Sequence, residues 1–263
     1  MPYFSSFVSG LFSEAVPADS RRSYLRRRVF GHYLTALYRI NLDLFRSFKI
    51  PPLRDTQVRI ENLTSPCDAV PSDVWLDALS LLNLGEGGLK DVAAYRAAEQ
   101  MVRKGTFQPF WSPREDDLRP MSVFHSALFN GDDPKDTLLS KRVIGHYLNA
   151  LYEIDLDIFR TYKMPPLYSA GIRYETLAPP CEEMPGDVWL DALTLLKGKR
   201  GDCKDLSCYL AAQRTLYEGR PCRPATMPPK FLGGEEFSLY HIVVLYNDGT
   251  TEDPSPILGM RTS

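Results

Sequence analysis

The 263-residue chain contains no stretch approaching the roughly 18 consecutive apolar residues of a membrane span. It also lacks a charge excess. Its 31 Lys and Arg stand against 33 Asp and Glu, and a net charge of -2 gives nucleic acid or an anionic bilayer no electrostatic reason to bind. Cysteine is sparse: five residues are too few for a disulfide scaffold and odd in number. The Cys and His spacings do not resemble paired zinc knuckles, so no metal is expected, and no cofactor motif is present. The N-terminal MPYFSSFVSGLFSEAVP has no Lys or Arg before its apolar part. No export signal is therefore expected, and the thiols are expected to stay reduced in a cytoplasm. What is present, 44% hydrophobic and 24% charged residues, is the composition of an ordinary globular protein.

An internal repeat organises the chain. GHYLTALYRINLDLFRSFKIPPL, from Gly31 to Leu53, matches GHYLNALYEIDLDIFRTYKMPPL, from Gly145 to Leu167, with 16 of 23 positions identical at an offset of 114. The same offset carries Val70–Leu82 onto Met184–Leu196 and Lys90-Asp91 onto Lys204-Asp205, while SFVSGLF and VFHSALF correspond after a short indel. The seam falls near Trp111 to Pro120, which divides the chain into an N-terminal module, 1–118, and a C-terminal module, 119–263. Each copy reads as a long helix stopped by a Pro pair, an extended segment, and two further helices. The spacing predicts that the segment 186–193 opens a helix with Asp187 as its N-cap and Trp189 in the core. The basic run Arg21 to Arg28 reads as a solvated helix face, and His32 and His146, shared by both copies, as packing or hydrogen-bonding residues.

The copies differ where chemistry would reside. Leu89 stands where Cys203 stands, and only the second copy continues past the shared Gly105/Gly219 position into the segment 236–255. There His241 lies in a largely apolar strand, Asn247-Asp248-Gly249 marks a hairpin turn, and the returning segment reaches Asp253. A Cys at a helix start, a His on a strand and an Asp beyond a hairpin suit nucleophilic catalysis, because a helix N-terminus and a nearby imidazolium both favour thiolate.

At GlyAspCysLysAspLeuSer (201–207), GlyArgProCysArg (219–223), His241 and AspProSer (253–255), the sequence resembles the transglutaminase-like branch of the papain-fold cysteine hydrolases. The resemblance covers roughly the last third of the chain. The tail also resembles small bacteriophage-encoded members. The resemblance implies an α+β fold in which the C-terminal of two mainly helical repeats is completed by a small antiparallel sheet. It also implies a thiol hydrolase or acyltransferase acting on amide or peptide bonds, with Cys203 as nucleophile, His241 as base and Asp253 as orienting group. The expected partner is a peptide or protein substrate, with neither nucleic acid nor membrane, in the cytoplasm. The alternative is a structural or interaction protein, a virion component bound to other virion proteins, whose triad is vestigial.

Overall fold

The computed structural model describes residues 4–12, 20–67, 72–106, 119, 121–129, 138–182, 184–227 and 241–260. They form a mixed α+β structure. The strand β1 (Phe4–Val8) leads through a 3-10 turn into the long helix α1 (Ser20–Ser47), followed by β2 (Arg59–Ile60), β3 (Ser72–Leu76), α2 (Ala78–Leu84), β4 (Glu86–Gly87) and α3 (Leu89–Lys104). A second run follows in the same order: β5 (Met121–His125), α4 (Leu138–Thr161), β6 (Arg173–Tyr174), β7 (Gly186–Leu190), α5 (Ala192–Gly198), β8 (Arg200–Gly201) and α6 (Cys203–Tyr217). Only after α6 come β9 (Cys222–Met227), β10 (His241–Tyr246), β11 (Thr251–Glu252) and the short α7 (Pro254–Ile257).

Helices α1 and α4 bury one apolar stripe each, including Leu37, Ile40 and Leu44 on α1 and Leu151, Ile154 and Ile158 on α4. Each stops ahead of a Pro pair, Pro51-Pro52 and Pro165-Pro166, whose rings cannot continue a helix. The segment 186–193 differs from the sequence expectation. Residues 186–190 form a strand, and the cap is Asp191, whose carboxylate accepts the Thr194 N–H at 2.8 Å. Val188-Trp189-Leu190 is a β-branched and aromatic run, and its strand partner lies about 180 residues away, where no local pattern could reveal it.

That partner is β1. The four-stranded sheet runs β3-β5-β1-β7. At its centre β1 and β5 pair antiparallel, with Ser6 opposite Val123. Strand β1 then pairs in parallel with β7, Ser6 beside Val188, and β5 pairs in parallel with β3, Val123 beside Val74. The N-terminal strand of each half of the chain therefore lies on the other half, and segments 1–118 and 119–263 share one sheet.

Side chains repeat the crossing. Phe7 stacks on Trp189 at 5.2 Å and Phe124 on Trp75 at 5.3 Å, while Phe7 and Phe124 meet edge to face at 5.3 Å. Tyr147 and Tyr33 close the cluster edge-on against Phe7 and Phe124, at 5.5 and 5.6 Å. The Ser9 hydroxyl donates to Asp191 and the Ser126 hydroxyl to Asp77, both at 2.6 Å. Between the long helices, His32 Nε2 meets Asp157 at 2.8 Å and His146 Nε2 meets Asp43 at 2.9 Å. The basic run on α1 is more than a solvated face: buried Arg22 donates to the Leu11 carbonyl at 2.7 Å, and Arg28 pairs with Asp157 at 2.5 Å.

The Lys-Asp steps repeated at the starts of α3 and α6 are structural. Asp91 accepts from the Leu76 and Gly88 amides at 3.0 and 2.9 Å, and Asp205 from the Leu190 and Asp202 amides at 2.9 and 3.2 Å. Each carboxylate thus ties a helix start to a strand of the shared sheet. Lys90 and Lys204 lie over the faces of Trp75 and Trp189, at 5.2 and 5.5 Å.

Two expectations follow. Phe7→Ala should destabilise the chain by about 3–5 kcal/mol in urea unfolding, because it removes a ring from the centre of the crossed core. Loss of stability confined to one segment, with a second unchanged transition, would mean the halves fold apart. Burial holds Asp91 up at about 6 and Asp205 up at about 8, and raises Asp77, Asp155 and Asp191 as well. A raised carboxyl is protonated when folded at a pH where the unfolded chain has released its proton, so its contribution is full below about pH 4 and lost as pH rises through the folded value. Stability should fall from pH 6.5 to pH 8.5, and Asp205→Asn should flatten that slope. A urea midpoint that rises over this range would contradict the assignment.

Candidate active site

The site begins at the N-terminus of α6. Asp202 caps the helix, its carboxylate accepting the Lys204 N–H at 3.2 Å, and Cys203 is the first helical residue. As such, its amide has no carbonyl partner within the helix and faces outward with the positive end of the dipole. One turn on, the Ser207 hydroxyl donates to the Ile242 carbonyl of β10 at 3.0 Å. The Ile242 N–H lies near enough to the Cys203 sulfur to favour its thiolate. Cys203 and Ser207, four residues apart on one helix face, thus both face the same residue of β10.

Strand β10 is the middle of the sheet β11-β10-β9. Its antiparallel register with β9 sets His241 opposite Met227 and Tyr246 opposite Cys222. The turn 247–249 returns the chain to β11, with Gly249 at φ +85°, a left-handed conformation that glycine adopts without strain. Asp253 then caps α7: one carboxylate oxygen accepts the Ser255 N–H at 3.0 Å and the other meets His241 Nε2 at 2.7 Å. Both groups of this pair are held, His241 by burial in the sheet and Asp253 by its own cap. Since Asp253 occupies Nε2, Nδ1 is the ring nitrogen left to exchange a proton with another group.

Of the three residues singled out in the sequence, His241 and Asp253 bond directly, and Cys203 reaches the same stretch of β10 through the adjoining residue, Ile242. Among the described residues no hydrogen bond joins the Cys203 sulfur to His241. The thiol is pushed up to about 12, first by burial and then by the Asp202 carboxylate beside it; Lys204 and the Ile242 N–H act in the opposite sense. The resting sulfur is therefore a thiol at neutral pH. Lys204 is itself buried, bonded to Asp202; desolvation opposes its charge, and the attraction of Asp202, Asp205 and Asp187 outweighs it.

The other cysteines take scaffold positions. Cys208 is fully buried against the Leu148 carbonyl, and Cys222 is buried beside Thr215. Among the described residues there is no cluster of three His, Cys, Asp or Glu able to hold a metal ion. None of the described helices is long and apolar enough to cross a membrane. Residues 236–240, the part of the segment 236–255 that precedes His241, lie outside the described residues.

Sequence reasoning passed over Ser207, Tyr174 and the strand β9. Tyr174 stands close enough to Cys203 for the thiol's ionisation to raise its own pKa, after burial. The signal for two of them was available: at the 114 offset Ser207 faces Ala93 and Tyr174 faces Ile60, the same kind of difference that singled out Cys203. Strand β9 was hidden by Pro221 and Pro224, which argue against a strand locally. No protein-family model, no curated protein and no solved structure matches the chain.

The acidic neighbour generates a prediction. Asp202→Asn keeps a side-chain oxygen for the Lys204 N–H and removes the charge that disfavours thiolate. Alkylation of Cys203 by iodoacetamide at pH 8 should then quicken about three- to tenfold. An unchanged or slower rate would show that Asp202 does not govern the thiol.

Proposed function

We propose that the chain is a transglutaminase-like thiol hydrolase or acyltransferase acting on amide or peptide bonds. In this reading it carries two copies of one helical unit. Only the C-terminal copy, within 119–263, is completed by the antiparallel sheet into a papain-type site. The observation that supports it most directly is the 2.7 Å bond between His241 and Asp253, one residue from the peptide of β10 that faces the Cys203 sulfur.

The chemistry follows from the groups in place. Because the thiol is neutral at rest, His241 Nδ1 takes its proton as the sulfur attacks the substrate carbonyl carbon, so the transfer accompanies bond formation. The Nε2–H donated to Asp253 then stabilises the imidazolium. The developing oxyanion is received by the outward-facing amide of Cys203 at the start of α6. Collapse breaks the C–N bond, the leaving amine takes the proton back from His241, and a thioester on Cys203 remains. Water releases it as an acid; an amine releases it as a new amide. The substrate is a peptide or protein segment reaching the face that α6 and β10 share.

A second reading, a structural or interaction protein with a vestigial triad, a virion component in its most specific form, draws on one observation. The thiol is held at about 12 beside a carboxylate, the reverse of an activated cysteine.

The two readings part on reactivity. For an active centre, iodoacetamide at neutral pH labels Cys203 ahead of the other four cysteines, His241→Ala slows that labelling about tenfold or more, and Cys203→Ser abolishes turnover of a p-nitrophenyl ester. Equal labelling of all accessible cysteines, with no effect of His241→Ala, selects the vestigial triad.

A further inference from the structure

The C-terminal segment does more than deliver Asp253. The Leu258 carbonyl accepts the Tyr174 N–H of β6 at 2.8 Å, and Glu252 is held by Arg214 at 2.7 and 3.1 Å and by the Tyr168 hydroxyl at 2.9 Å. Residues 252–260 thereby cover the face built from α6, the 167–169 turn and β6. The face at the 114 offset, built from α3, the 53–55 turn and β2, has no such cover among the described residues. It is an open cavity of about 480 Å³ with an apolar floor that includes Val58 and Val92.

Three observations say what fits there. Ile60, at the position of Tyr174, is 56% exposed and lines the cavity. The Arg59 and Glu61 amides are both spent on β4, on the Gly85 and Gly87 carbonyls at 2.9 Å, so strand alternation turns the Ile60 N–H away from β4. That is the direction in which Tyr174 takes the Leu258 carbonyl. The lining of the cavity is positive: Arg54, Arg96, Arg103 and Lys104 face one lining carboxylate, Glu99, which pairs with Arg103, and the neighbouring Asp55 lies 3.5 Å from Arg54 with both side chains exposed.

We propose that this cavity docks an extended acidic peptide segment of a partner protein, in the manner in which residues 252–260 cover α6. A main-chain carbonyl of the segment takes the Ile60 N–H, its apolar side chains cover Val58 and Val92, and its carboxylates meet the arginines. The half of the chain that carries Leu89 in place of Cys203 thus serves as a recognition module, whether or not Cys203 is active.

The probe is the fluorescein-labelled decapeptide TEDPSPILGM, the sequence of residues 251–260, titrated into the full chain by anisotropy. Saturable binding is expected, weakening as salt is raised. It should weaken about tenfold or more in Arg54→Glu/Arg96→Glu, two exposed sites whose change should leave circular dichroism and melting unaltered. Replacing the peptide's two carboxylates by lysine should have a similar effect. No saturable binding up to about 1 mM would overturn the proposal. So would undiminished binding to the double variant, which would place the peptide on α6 in exchange with residues 252–260. A dimer of the chain dissolved by the same double variant would overturn the partner in favour of a second copy.

Discussion

The structure depends on the antiparallel crossing of β1 and β5, with Ser6 opposite Val123. Phe7 of β1 and Phe124 of β5 each meet a tryptophan of the opposite half, and Ser9 and Ser126 each reach an aspartate of that half. The contacts are reciprocal, like those of an isologous dimer interface, but they are made within one chain. Trp75 and Trp189 are each stacked by the N-terminal strand of the opposite half.

The same crossing positions the candidate site. Strand β7 is fixed by β1, and its Leu190 amide is fixed to Asp205, the third residue of α6. Lys204 is packed over Trp189 in the middle of this arrangement. The start of α6, and with it Cys203, is therefore registered against the shared sheet on one side and against Ile242 on the other. Among the described residues, the equivalent start of α3 is registered on the first side only, with Leu89 and Ala93 in the places of Cys203 and Ser207.

Much of this was legible because the chain supplies its own comparison. The offset of 114 located both long helices, the Pro stops and the Cys203/Leu89 difference, and the Asn247-Asp248-Gly249 turn located the hairpin. Local patterns failed where the determining partner was distant. Val188-Trp189-Leu190 is a strand because β1 is there, and Ser6 and Val188 are far apart in sequence. The role of Arg22 was likewise invisible, since the carbonyl it holds belongs to a turn outside its helix. The thiol's raised pKa depends on burial under β10 and on the side-chain direction of Asp202, neither of which a motif encodes.

Crossed strands also set an order of events in time. The Ser9–Asp191 bond closes a loop of 182 residues, and β1 has no parallel neighbour until β7 exists. A chain emerging from a ribosome would carry β1 and β3 as open edges until β5 emerged to pair with both, and β1 would keep one open edge until β7 followed. Folding is thus deferred to a late, long-range closure, slow by virtue of its topology. Two nascent chains close together could each supply the missing strand to the other. The same crossing that secures the finished fold makes the unfinished one prone to pair with its neighbour.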